Sequence, residues 1–177
     1  PIIRESLKFM DIEDRIGITV TANIPAKTGL GSSSAFAVGL LNALHAYKNE
    51  YVDKEQLAKE AAHIEIEILK RPVGKQDHYA AAYGGINYIR FYDDETVTVR
   101  SMNVTAKNQK IFSDSIVMFW CGIQRPSESV LKEQDEKNKL NQNVLSKMKE
   151  QALELSNIIC DTNLSIQRVG KMINQGW

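Results

Sequence analysis

In IPAKTGLGSSSAF, residues 24–36, a proline is followed by two glycines one residue apart, then by three serines that lead into an apolar segment. Upstream, DRIGITVTANIP alternates Ile16, Ile18, Val20, Ala22 and Ile24 on one face, the pattern of a half-buried strand. Downstream, FAVGLLNALHAY is apolar at helical spacing with little β-branching, so a helix is expected to begin inside the serine run. The glycine loop therefore reads as a strand-to-helix connection. The first N–H groups of a helix are unpaired and carry a partial positive charge, so such a loop is suited to an anion, and phosphate is the natural guest. Gly29 and Gly31 let the backbone approach closely or take positive φ, and the hydroxyls of Ser32, Ser33 and Ser34 can bond phosphate oxygens or a metal. The plainer reading of the same residues is a glycine turn with serine capping.

Two familiar phosphate loops are excluded by inspection. Lys27 precedes the glycines and Lys75 is followed by glutamine, so there is no G-x-x-x-x-G-K-[ST]. Ser34 stands where G-x-G-x-x-G needs its third glycine.

The rest of the chain sets bounds. It has 177 residues, 43% hydrophobic and 25% charged, the balance of a soluble globular protein with a real core. Lys plus Arg equals Asp plus Glu at 22 each, with no dense basic stripe, which argues against a nucleic-acid footprint. No apolar run approaches the ~18 residues of a membrane span, and no basic-then-apolar leader opens the chain. Cys121 and Cys160 sit in apolar surroundings without metal-ligand spacing and read as reduced core thiols of a cytoplasmic protein.

PIIRESLKFM has helical spacing, and Asp53 with Gln56 resembles a capping box opening the helix KEQLAKEAAHIEIEILK before Pro72. At about 100° per residue from Leu57, Glu65 falls near 80°, inside an apolar arc that includes Ala58, Ala61, Ile68 and Leu69. Lys59, Glu60, His63 and Glu67 fall on the opposite face as ordinary solvated charges. A carboxylate on the buried face needs a partner, which could be Mg²⁺ or an arginine. Beyond this helix, RPVGKQDHYAAAYGG reads as a loop, a short helix and a Gly84-Gly85 turn. INYIRFY and TVTVRSMNV form a hairpin around Asp93-Asp94, SIVMFWCGI is a further buried strand, and the chain is helical and charged from Ser127 onward. Asp77, before the short helix, reads by itself as an N-cap.

Pro25-Ala-Lys-Thr-Gly29-Leu-Gly31-Ser-Ser33-Ser-Ala35 resembles the P-x-x-x-G-L-G-S-S-[AS]-[AS] nucleotide loop of the GHMP kinases, matching at every fixed position. AAHIEIEIL, GKQDHYAAAYGGINYIRF and GIQRPSESVLKEQ extend the resemblance, in order, to the branch that phosphorylates heptose 7-phosphate and related sugars. The resemblance implies an α+β fold: a ribosomal-protein-S5-domain-2-like nucleotide-binding domain over residues 1–114, lacking its first strands, then the beginning of a ferredoxin-like C-terminal domain over 115–177. It implies ATP bound by Thr28, Gly29, Leu30, Gly31, Ser32, Ser33 and Ser34, Mg²⁺ held by Ser33 and Glu65, and Asp77 acting on the acceptor hydroxyl. Arg125 would face the phosphate of the sugar substrate. His78 replaces the glutamine more usual after the aspartate, and CGIQR departs from a threonine-containing version, so substrate identity is less specified than reaction class. The expected activity is transfer of phosphate to the anomeric hydroxyl of a sugar phosphate for surface-polysaccharide synthesis. Kinases of other sugars such as fucose, a non-catalytic nucleotide-binding module and a homodimer stay open. The missing G-G-G-T-D-type segment and third glycine motif suggest the middle half of a kinase, expected to be a poor catalyst alone.

Overall fold

The computed structural model describes residues 1–23, 28–119, 122 and 142–175. The chain divides by contact into two compact units, whose described residues lie in Pro1–Gly84 and in Gly85–Ile123 with Glu136–Trp177.

The first unit is helical. It contains α1 (Ile2–Phe9), α2 (Ser32–Tyr47), α3 (Lys54–His63), a π-helical turn Ile64–Ile68, and α4 (Gln76–Tyr83). As expected, α2 starts inside the serine run, with Gly31 as its N-cap residue at φ 65°. The Asp53 side chain caps α3 by accepting from the Gln56 N–H at 2.8 Å. The Gln56 side chain is turned along the helix, with Nε2 donating to Glu60 at 2.8 Å. The core of this unit is Ala37, Val38, Leu40, Leu41 and Leu44 of α2 packed on Leu57, Ala61 and Ile64, with Ile2 of α1. Removing a side chain such as Leu41 from water contributes roughly 1.5–3 kcal/mol, which holds the short helices together where propensity alone would not.

Two helical-wheel expectations need correction. Leu69 N–H bonds to Ile64 C=O at 2.9 Å, a five-residue step that widens the helix after His63. The fixed advance per residue therefore fails beyond that point, and Ile68, placed on the apolar arc, is 39% exposed. Glu60, expected to be solvated, is half-buried and accepts from His45 Nε2 at 2.7 Å, while His45 Nδ1 faces Glu50 at 3.0 Å. This buried histidine ties α2 to α3.

The expected strand through Ile16–Ile24 does not form over the described residues 15–23. Ile16 and Ile18 are half-buried against the helical core, but Val20 is 52% exposed. Alternation specifies faces, whereas a strand also needs a neighbour for its backbone N–H and C=O groups, and the described residues supply none here.

The second unit contains β1 (Asn87–Phe91), β2 (Val97–Ser101), α5 (Ala106–Ser115), α6 (Gln142–Cys160) and α7 (Ile166–Gln175). The expected hairpin is present, antiparallel, with Ile89 opposite Val99 and Tyr88 opposite Arg100. Helix α5, absent from the sequence reading above, is capped by the Thr105 hydroxyl accepting from the Asn108 N–H at 3.1 Å. Its local signal was the Thr-Ala-Lys-Asn start. The buried Asn108 amide donates to the carbonyls of Ile159 and Asp161 at 3.2 and 2.6 Å, anchoring α5 to the end of α6. Ile158, Val169 and Met172 form a small core with Phe112 and Leu155.

The buried strand expected at SIVMFWCGI is also absent over 116–119. Ile116, Val117, Met118 and Phe119 are 55, 69, 73 and 85% exposed, outside any sheet among the described residues. Cys160 is a free, half-buried thiol, and Cys121 lies outside the described residues. No helix among the described residues is long and apolar enough to cross a membrane.

Candidate functional site

All the described site residues belong to the first unit. Loop residues 28–31 lead into α2, Glu65 sits in the π-helical turn, Arg71 lies in the loop beyond it, and Asp77 and His78 open α4. Gly29 and Gly31 both take positive φ, 75° and 65°. At Gly31 space is also short, since a β-carbon there would meet Asp77 Oδ2 at 3.1 Å and Cγ at 3.2 Å. The loop and Asp77 are therefore in close contact, with no room for a side chain between them. Thr28 Oγ1 is buried without a hydrogen-bond partner, while Leu30 and Ser32 are exposed.

Asp77 is exposed and is the second residue of α4. The N-cap position belongs to Lys75, so the capping role open to Asp77 from sequence alone is not the one it fills.

Glu65 is fully buried, as the helical-wheel argument required, and its carboxylate is saturated. Oε1 accepts from the Ser33 hydroxyl and from Arg71 Nη1, the latter at 2.6 Å. Oε2 accepts from the Ser34 hydroxyl at 3.1 Å and bonds His78 Nε2 at 2.9 Å. Arg71 Nη1 also donates to Ser33 Oγ at 2.8 Å. Burial alone would raise the carboxyl pKa. Hydrogen bonds from His78, Ser33 and Arg71 outweigh it and hold Glu65 ionised, with a pKa near 2 against an ordinary 4.5.

An ionised carboxylate only accepts, so Nε2 of His78 carries the hydrogen in this contact. Its Nδ1 is buried without a partner. His78 thus supports Glu65. The sequence asks only for a partner to a buried glutamate, Mg²⁺ or an unspecified arginine; nothing local singles out Arg71. Arg125 lies outside the described residues.

The donor set fits a hard divalent cation. Ser33 Oγ and Glu65 Oε1 are adjacent oxygens that already share one positive partner, the Arg71 guanidinium. No group of three or more His, Cys, Asp or Glu suited to a metal occurs among the described residues.

Residues 2–85 match the family model described as GHMP kinases N terminal domain. A D-glycero-alpha-D-manno-heptose 7-phosphate kinase from Campylobacter jejuni is 31% identical over 119 residues, 67% of this chain and 34% of that protein. An L-fucokinase/L-fucose-1-P guanylyltransferase from Bacteroides fragilis is 26% identical over 99% of this chain and 18% of its own length. A galactokinase from Pyrococcus furiosus is 27% identical over 70% of this chain and 32% of its length. The chain thus spans at most about a third of these relatives. Among solved structures, a D-glycero-D-manno-heptose 1-phosphate kinase from Bacteriodes thetaiotaomicron shares the fold with a TM-score of 0.72 at 22% identity, over 90% of this chain and 48% of that one. The glycine-serine loop, α2 and the Glu65–Asp77 region all fall inside the matched segment, and residues 2–85 belong to the GHMP kinase N-terminal domain family.

Proposed function

We propose that this chain is the nucleotide-binding part of an ATP-dependent sugar kinase that phosphorylates the anomeric hydroxyl of a sugar phosphate, D-glycero-D-manno-heptose 7-phosphate being the favoured substrate. The observation that carries this reading is the convergence of three elements distant in sequence. Asp77 lies against Gly31 of the loop, and Ser33, in the first turn of α2 beyond it, bonds Glu65.

Each residue then has a task. The N–H groups from Gly29 to Ser34 receive the triphosphate at the N-terminus of α2, which has no acidic residue in its first turn to compete with it. Ser33 and Glu65 would hold Mg²⁺, which when bound neutralises charge on the phosphates. Asp77, exposed and beside the loop, orients the acceptor hydroxyl or takes its proton; positioning of that kind is most of what phosphoryl transfer needs from a protein. Arg125 is assigned to the phosphate of the sugar, for which the planar guanidinium is suited. The division into a first domain over 1–114 and a second over 115–177, with S5-like and ferredoxin-like layouts, and a cytoplasmic location belong to the same proposal.

A second sugar is favoured by one specific finding: the fucokinase relative aligns with 99% of this chain. Fucose is therefore the alternative acceptor. The test is Asp77→Asn in the full-length protein, assayed with ATP and either heptose 7-phosphate or fucose. Binding of ATP and sugar should persist while turnover falls by about 10²-fold or more, the behaviour of a group acting mainly in the transition state. Unchanged turnover would remove Asp77 from the chemistry, and the sugar that supports wild-type turnover identifies the substrate.

A further inference from the structure

The two oxygens of Glu65 are treated differently by the fold. Oε2 is fixed by Ser34 of α2 and His78 of α4, both buried side chains. Oε1 is shared by Ser33 and Arg71, and Arg71 bridges it to Ser33 Oγ with a single nitrogen at 2.6 and 2.8 Å. Those two oxygens are the pair assigned above to the divalent cation. One nitrogen of a guanidinium spanning them sits where a metal ligated by both would sit. Glu65 has 1% of its side chain exposed and Arg71 has 26%, so the arginine retains a route to water that the glutamate lacks. Arg71 lies just past the helical turn: it follows Lys70, whose φ is 52°, its N–H bonds back to the Glu65 C=O at 3.0 Å, and its own C=O closes a short turn with Val73 N–H at 2.9 Å.

We infer that Arg71 is an internal counterion that occupies the cation position between Ser33 and Glu65 and competes with the divalent ion for it. This rests on the reading of Ser33 and Glu65 as metal ligands. The physical case is one of charge. A buried carboxylate stripped of its cation costs several kcal/mol, so a site that must be empty of metal for part of its cycle needs a resident positive group. It must also be a group that can leave. The Oε2 contacts keep Glu65 in place while the Oε1 partner is exchanged, and Arg71 departs toward solvent without unfolding a helix. Competition of this kind sets the metal affinity low in the free protein and makes the nucleotide's own phosphates necessary for tight metal binding.

The test is a Mn²⁺ titration, without nucleotide, followed by electron paramagnetic resonance on the full-length protein, with melting temperature recorded on the same samples. Arg71→Met should tighten Mn²⁺ binding by roughly tenfold, within the usual range for coupling between two ligands. It should also melt lower than wild type without metal and recover when Mn²⁺ is added. Glu65→Gln should abolish Mn²⁺ binding in both backgrounds, leaving the free-ion signal undiminished. If Arg71→Met leaves affinity unchanged or weakens it while Glu65→Gln abolishes binding, Arg71 is not a competitor and the inference fails, with the metal reading intact. If Glu65→Gln has no effect on Mn²⁺ binding, the metal reading itself fails and takes the inference with it. Should Arg71→Met not fold, Arg71→Gln serves the same purpose: it removes the charge while leaving an amide donor for Glu65, and tighter Mn²⁺ binding than wild type is expected again, with equal or weaker binding overturning the proposal.

Discussion

Two uses of arginine among the described residues stand in contrast. In the first unit Arg71 is committed to a buried carboxylate and a serine hydroxyl. In the second, Arg90 and Arg100 lie over the rings of Tyr92 and Tyr88, 4.8 and 5.4 Å from their centroids, along the hairpin face. That face and α6 border an open cleft of about 650 Å³ that also includes Lys149 and Leu153. The hairpin arginines cover aromatic surface and keep their charge in contact with water, an arrangement that costs little and gains little. The Glu65 carboxylate is buried and accepts hydrogen bonds at both oxygens, a costly placement for a charge. The contrast separates a site from a decorated surface better than residue type does.

The comparison breaks most readily at Gly31. Valine there brings a β-branched side chain to a φ of 65° and drives its β-carbon to within 3.1 Å of Asp77. ATP binding measured by calorimetry on the full-length Gly31→Val protein should be lost, with the helical circular dichroism retained. Equal affinity in variant and wild type would show that the loop does not receive the nucleotide.

Acid sharpens the comparison next. Glu65 titrates near 2 in the folded chain against 4.5 ordinarily, so above about pH 4.5 the group is ionised in both states and its stabilisation is complete. As pH falls from there toward 2, the unfolded chain takes up a proton that the folded chain refuses, and stability declines. Urea midpoints between about pH 5 and pH 3 should fall in wild type and fall less steeply in Glu65→Gln. Parallel curves would mean that the carboxylate is not held ionised by its neighbours.

The smallest effect belongs to the hairpin. Arg100→Ala removes a cation from the exposed face of Tyr88 and should cost about 0.5–1 kcal/mol in denaturant unfolding, leaving nucleotide affinity unchanged. A loss of several kcal/mol would place the hairpin face among the molecule's committed charges and erase the distinction.

Much was legible in the residues because it depended on local chemistry. Gly31 at the head of a serine-led helix, Asp53 capping α3, the Ile89–Val99 hairpin and the burial of Glu65 all follow from turn residues, caps and periodicity within a dozen positions. Periodicity misled where the helix widened at Ile64–Ile68, because the register of a π-helical turn leaves no mark in a pattern of apolar residues. It misled again at residues 16–20 and 116–119, where alternating or continuous apolar residues were read as strands. A strand is a property of two segments, and the described residues provide only one.

By itself, the sequence determined that a glycine-serine loop opens α2, that a glutamate lies on the buried face of a later helix, and that an aspartate starts a short helix beyond it. Tertiary structure alone decided which of these meet. Ser33 and Glu65 are 32 positions apart, Ser33 and Arg71 are 38, and no local rule links Arg71 to either. Partners for a buried charge are chosen by the packing of whole helices, since the energy of an ion pair depends on distances and desolvation that exist only once the core of α2, α3 and α4 has formed.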